Sequence, residues 1–215
     1  MRNMHQMVLL LGGICLAAFI CGCQNNRSAK PSAIAPVNST SSTQSAQSAS
    51  VEAPLAPEKN PPGDIPDTQV FISYTSKQDG YTLDVPEGWA RTEHTGDVKF
   101  ADKFDAEEVK VSLNTMASSL KNVQQRLVPA IQQHDRAVTI EGVKTKPMPH
   151  GQPILYVSYT SNSDPDAVTN KQIRLENETF FFFNGNRLAE LTLRAPLGAD
   201  NADQWKRISE SFRWK

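Results

Sequence analysis

From about residue 70 onward, apolar positions recur at period two, which predicts strands half-buried on a pleated sheet. Val70–Ser76 ("VFISYTS") and Tyr81–Pro86 ("YTLDVP") read as two strands joined by the turn "KQDG". "EVKVSLNTM" sets Val109, Val111 and Leu113 on one face and Lys110, Ser112 and Asn114 on the other. Pro153–Ser161 alternates in the same way. The clearest hairpin joins Thr179–Phe183 to Leu188–Arg194 around Asn184-Gly185, a dipeptide suited to a type I′ turn. The run Phe180–Phe183 places aromatic rings on both faces, so this strand is expected in the middle of a sheet, covered on both sides.

Two segments change period from two to 3.6. "SLKNVQQRLVPAIQQH" carries Leu120, Val123, Leu127 and Ile131 at helical spacing, with Ser118 or Ser119 as cap and Pro129 as an expected kink. "DNADQWKRISESFRW" begins with Asp200 as cap and Asp203 three residues on. Trp205, Ile208 and Phe212 form its apolar stripe, and core packing is the main role expected of both aromatics. Strands, a helix, antiparallel strands and a closing helix predict an α+β fold.

The amino terminus obeys neither period. Val8–Ile20 is a continuous apolar run of 13 residues behind Arg2, shorter than the roughly 20 residues that cross a bilayer. It reads as the core of a secretory signal; the alternatives are an uncleaved anchor or a buried helix, and polar sequence follows at once. "Ile20-Cys21-Gly22-Cys23" resembles the bacterial lipobox, in which the last cysteine takes a diacylglyceryl group and becomes the first mature residue. All three cysteines lie within residues 15–23, and cleavage before Cys23 removes the other two. A lone exported cysteine calls for an explanation, and acylation supplies one. Two or three acyl chains, at about 0.8 kcal/mol per methylene, hold a protein durably on a membrane. Residues 1–22 are therefore expected to be a lipoprotein signal peptide and Cys23 the lipidation site. The protein is expected on the extracytoplasmic side, on the outer face of the cell membrane. In a cell with two membranes, Gln24 in place of Asp would permit transfer to the outer one.

Residues 23–66 are expected to form the lipid-attached cysteine and a disordered tether. They are rich in Ser, Thr, Ala, Gln and Pro, without aromatic residues or apolar periodicity. Such a composition buries too little to offset the entropy of ordering. Residues 67–215 remain as one domain, large enough for a core of its own.

"Gly80-Tyr81-Thr82-Leu83-Asp84-Val85-Pro86-Glu87-Gly88-Trp89" resembles the opening G-[YF]-x-[LF]-x-x-P-x-G-W pattern of the PsbP-like family. "Asp97-Val98-Lys99-Phe100-Ala101-Asp102" and the final "NGNRLAELTLRAPLGADNADQWKRISESFRW" extend the resemblance over nearly the whole domain. It implies an α/β/α sandwich around an antiparallel β-sheet, a fold shared with the Ran-binding Mog proteins. The matching motifs are structural, and no ion-linked residue of the family maps onto this chain. Within the pattern, Gly80 and Gly88 are expected at turns, Pro86 at a strand end, and Trp89 at the edge of the core.

The formal net charge of −1 and the lack of a basic stripe argue against nucleic acid as a partner. The domain contains no G-x-S-x-G, H-E-x-x-H, phosphate-binding or dinucleotide motif. His94, His134 and His150 are expected at element ends on the surface. A zinc set of His94, Asp97 and His150 is the one metal combination that offers itself, and its spacing does not favour it. Asp102, Asp105, Glu107 and Glu108 form an acidic cluster between strands, better read as a solvated loop than as a calcium site. The polar loop Ser161–Lys171 is a candidate partner contact. No cofactor, metal site or catalytic residue is expected. The reading is a non-catalytic binding or assembly module that meets the membrane through Cys23 and a protein partner through its domain. The alternatives are a small-ligand or lipid carrier with a cavity beneath the helices, and an enzyme with an unrecognised site.

Overall fold

Strands form where the period-two segments lie, and their register decides which faces meet. The computed structural model describes residues 52–59 and 61–215; the expected signal peptide, Cys23 and the expected tether through residue 51 lie outside the described residues. In chain order the elements are β1 (Phe71–Ser76), β2 (Tyr81–Pro86), β3 (Ala90–His94), β4 (Asp97–Ala101) and β5 (Ala106–Leu113), then α1 (Leu120–Asn122) and α2 (Val128–His134). There follow β6 (Arg136–Lys146), β7 (Ile154–Asn162), β8 (Arg174–Asn184), β9 (Arg187–Pro196), α3 (Ala202–Ser211) and β10 (Arg213–Trp214).

The strands make two antiparallel sheets. One has seven strands in the order β3-β4-β5-β9-β8-β7-β6; the other has three, β1-β2-β10. The expected hairpin is β8–β9, closed by the Asn184↔Arg187 pair. As expected, β8 is interior to its sheet, and its aromatic run is split by the pleat. Phe180 and Phe182 enter one core, Phe181 and Phe183 the other.

The first core lies between the large sheet and a layer made of the small sheet and α3. Tyr81, Phe212 and Phe182 stack through it, with ring centroids 5.2 Å apart for the first pair and 4.1 Å for the second. Trp205 and Ile208 of α3 are buried there, and Trp89 packs at its margin. The second core lies on the opposite face, where Val123, Leu127 and Ile131 of the helical segment cover Leu155, Val157, Tyr159 and Phe181. Helices on both faces of an antiparallel sheet give the expected α+β, α/β/α arrangement, with an extra small sheet in one layer.

Several local details depart from the sequence reading. Ser119, one of the two caps considered, accepts the amide of Asn122 at 3.2 Å. Pro129 does not kink a continuous helix: a π-helical turn over Val123–Leu127 precedes it, and the proline sits in the first turn of α2, where its missing N–H costs nothing. α3 starts one residue later than expected. Asn201, not Asp200, is the cap residue, and its side chain makes no capping bond because it faces residues 63–65. Leu113 is 84% exposed although it alternates with Val109 and Val111, because β5 outruns β4, whose pairing ends at Lys110. Residues 52–59 and 61–66, expected to be part of the disordered tether, lie against the domain, and Ile65 is buried in the first core. Among the described residues no helix is long and apolar enough to cross a membrane.

Candidate functional site

Five elements meet at one end of the large sheet: the β4–β5 turn, the α2–β6 junction, the β7–β8 loop, the start of β8 and the end of β9. They enclose an open cleft of about 740 Å³. Basic Lys99, Lys103 and Lys171 face acidic Asp102, Asp164 and Asp166 around its rim.

The floor is a polar network. Asp135, which ends α2, accepts hydrogen bonds from the Tyr159 hydroxyl at 2.8 Å and from Arg194 Nη2 at 3.2 Å to each carboxylate oxygen. His134 Nδ1 lies 2.8 Å from the same carboxylate. Burial alone would raise the Asp135 carboxyl, but the Arg194 charge and the bonds from His134 and Tyr159 outweigh it and hold it below the ordinary carboxylate range. Burial, reinforced by the Asp135 charge, pushes the Tyr159 hydroxyl up, so it keeps its proton. A carboxylate this fully engaged is a poor base, and a tyrosine this strongly protonated is a poor nucleophile. The network fixes shape and charge; it does not activate a group.

The β7–β8 loop is organised by Asp166. Its Oδ1 accepts the amides of Val168 at 3.1 Å and Thr169 at 2.7 Å, as in an Asx turn, and the Thr169 hydroxyl at 2.8 Å. The turn lifts Val168 to 93% exposure at the loop tip. The candidate contact loop thus offers an apolar tip above the charged cleft.

The metal combinations considered from sequence are taken apart by topology. His94 and Asp97 are brought together as the closing pair of the β3–β4 hairpin. His150 lies in the β6–β7 connection, at the other edge of the sheet. Four to six inter-strand steps of roughly 4.8 Å, about 19–29 Å along the sheet, separate that connection from the hairpin, so the three side chains do not form a zinc set. The acidic cluster is divided by the pleat of β5. Glu107 points into the first core with neither carboxylate oxygen partnered, and burial raises its pKa well above the ordinary value. Glu108 is on the opposite face, with its oxygen 3.3 Å from Lys110. Asp102 accepts the amides of Phe104 and Asp105 within the turn. Asp105 is buried beside Asn201, and desolvation, with the Asp102 charge, pushes it up to about 7. Among the described residues no three His, Cys, Asp or Glu side chains group to hold a metal ion. Cys23 lies outside the described residues.

A shallower groove of about 580 Å³ runs beside α3. There Lys146 donates to Ser209 at 2.7 Å, and Tyr156 and Trp205 form the wall.

The sequence profile of the PsbP family matches residues 69–213, from the start of β1 to the start of β10. The chain belongs to the PsbP family. No curated protein matches it. Solved structures that are similar to this chain include cyanobacterial PsbP (CyanoP) of Synechocystis sp. PCC 6803, at 18% identity and a TM-score of 0.48, covering 71% of this chain and 98% of that one. The Ran-binding protein Mog1p of Saccharomyces cerevisiae is similar at 10% identity and TM-score 0.47, covering 68% and 96%. A protein of Bacteroides thetaiotaomicron VPI-5482 is similar at 10% identity and TM-score 0.46; the match covers 66% of this chain and about half, 48%, of that one.

The Asp135–Arg194–Tyr159 network has no signature in the sequence. Its members are 24 and 59 positions apart and meet only through strand pairing.

Proposed function

We propose that this PsbP-family protein is a membrane-anchored lipoprotein whose domain is a non-catalytic binding and assembly module for a protein of the cell envelope. The anchor is the acylated Cys23, and the domain stands on the extracytoplasmic side. Family membership supports a binding fold at a coarse level. The observation that carries the reading is the cleft: its floor carboxylate, Asp135, is paired with Arg194 and Tyr159, and charges of both signs stand around its rim, so it presents a shaped, two-signed surface. Such a surface favours a partner with complementary charges, and an apolar contact for Val168 at the rim.

Two measurements test it. Cys23→Ala should abolish incorporation of a labelled fatty acid in growing cells; retained label removes the anchor from the proposal. A photocrosslinking residue at Val168 in the anchored protein should yield an adduct of one discrete mass, while the same residue at Leu113, outside the cleft, should not. Equal yields from both positions, or none from either, would place the partner surface elsewhere.

A further inference from the structure

Residues 52–59 and 61–65 lie along the same end of the sheet as the cleft, and the domain holds them by their main chain and by the carboxylates of Glu52, Glu58 and Asp64, which meet Arg136, Lys171 and the amide of Asp200. Two buried asparagines do this in the same way. Asn201 Oδ1 accepts the amide of Ile65 at 2.7 Å, and its Nδ2 donates to the Gly63 carbonyl at 2.9 Å. Asn162 Oδ1 accepts the amide of Leu55 at 3.0 Å, and its Nδ2 donates to the Ala53 carbonyl at 3.0 Å. Each side-chain amide therefore grips a carbonyl at position i and an amide at i+2, across Asp64 in one case and Pro54 in the other. An extended chain turns that pair of groups to one side, and a carboxamide has the matching donor and acceptor.

Both clamps are built into the domain. Asn162 is 4% exposed and Asn201 2%. Arg174 braces Asn162 by donating to its Oδ1 at 2.9 Å, and Asp105 accepts a second bond from Asn201 at 3.3 Å. Gln204 extends the grip by donating to the Ile65 carbonyl at 2.9 Å. The fit is close: a Cβ on Gly63, whose φ is +114°, would come within 2.7 Å of the Pro196 ring. Only Ile65 buries a side chain deeply; Ala53 through Pro57 leave theirs exposed.

We propose that the end of the sheet between Asn162 and Asn201 is a binding track for an extended main chain, which this protein fills in cis with its own residues 52–59 and 61–65. The track reads backbone through its two carboxamides, with one pocket for an aliphatic residue, tolerance for proline between the gripped groups, and Arg136 and Lys171 placed for acidic side chains of the occupant. This inference stands independently of the anchor.

Amide hydrogen exchange on the full chain tests the track. The amides of Leu55 and Ile65 should exchange at least tenfold more slowly than those of exposed Ala56 and Lys59. Asn162→Asp keeps the acceptor for Leu55 and Arg174 but removes the donor and sets a charge against Glu52. It should raise exchange at Leu55 tenfold or more and leave Ile65 and the β8–β9 ladder unchanged. Gly63→Val should dislodge the segment, and a labelled synthetic peptide of residues 52–66 should then bind that variant saturably and leave the parent unlabelled. Random-coil exchange at Leu55 and Ile65 in the parent would overturn the proposal, as would indifference of Leu55 to Asn162→Asp. So would failure of the peptide to bind a Gly63→Val protein whose β8–β9 ladder stays protected and whose Ile65 amide has been freed. A parent that sediments as a dimer, and becomes a monomer on Asn162→Asp, would show that a second copy supplies the segment, which overturns the assignment in cis.

Discussion

The two faces of β9 belong to one strand with the same neighbours, yet they are held by different forces. On one side Ala189, Leu191, Leu193 and Ala195 are at most 1% exposed, closed over by α3 and the small sheet. On the other side Thr192 and Arg194 meet partners singly: Thr192 and Thr179 share a hydrogen bond of 2.9 Å, and Arg194 meets Asp135. The helical segment roofs only part of that second face, and where the roof ends the cleft begins. Continuous burial stabilises by area and is indifferent to geometry at the level of single atoms. One-to-one polar pairing stabilises little net but is costly to leave half-made. The apolar face and the polar, cleft-bearing face of this domain are therefore one sheet seen from two sides.

The sharpest way to break the comparison is to damage each face in turn. On the apolar face, Phe212→Ala removes a ring stacked on both Tyr81 and Phe182 and in edge contact with Trp214. It should cost about 3–5 kcal/mol in denaturant unfolding, with little dependence on salt. On the polar face, Asp135→Ala strips Arg194 and Tyr159 of their shared acceptor. Arg194 retains some solvent access, so the loss should be smaller, about 2–3 kcal/mol. A polar-face loss equal to the aromatic one would mean that the two faces do not differ as described.

Two buried acids sharpen the contrast, because each sits where its face disfavours charge. Asp105 is surrounded by carboxylates from three directions: Asp102 in its own turn, Asp64 in the docked segment and Glu176 on β8. Its folded pKa of about 7 lies above the unfolded value near 3.9, so the folded protein holds a proton that the unfolded chain releases. Stability from this group is complete below about pH 4 and is lost as the pH rises toward 7. Asp105→Asn keeps the acceptor for Asn201 and removes the charge. It should stabilise by about 2 kcal/mol at pH 8 and by almost nothing at pH 4, as read from paired unfolding curves. Glu107, uncharged and unpartnered in the first core, leaves two polar atoms without bonds. Glu107→Met, of similar length and volume, should stabilise by about 1–2 kcal/mol at pH 7. A destabilised methionine variant would mean that Glu107 has a bonding role in the core.

How much of this was legible in the sequence depends on how local each signal is. The β8–β9 hairpin announces itself because turn chemistry and alternation occur in one stretch. The helical segment does so through Val123, Leu127 and Ile131. β3 carries no apolar alternation because all five of its residues are exposed. β6 hides its pattern behind register shifts between Arg136 and Thr139 and between Ile140 and Gly142. The separation of β1 and β2 into a second sheet depends on β10, a two-residue strand at the far end of the chain. The docked segment was illegible for a different reason: its grip is written in Asn162 and Asn201, more than a hundred residues away, and its own composition still reads as linker.

The smallest expected effect tests whether the polar face is binding surface outside the Asp135 network. Lys110 stands between Asp97 on β4 and Glu190 on β9, and its ammonium lies 3.3 Å from Glu108. Its side chain is 39% exposed, and an exposed pair of this kind contributes well under 1 kcal/mol. Lys110→Ala should therefore shift the unfolding midpoint by less than about 0.5 kcal/mol and shift it less still at high salt. A loss above about 1.5 kcal/mol would mean that the ladder of alternating charge across β4, β5 and β9 acts as a coupled network. The face would then hold the fold together as the aromatic side does, and the division of labour between the two sides of β9 would fail.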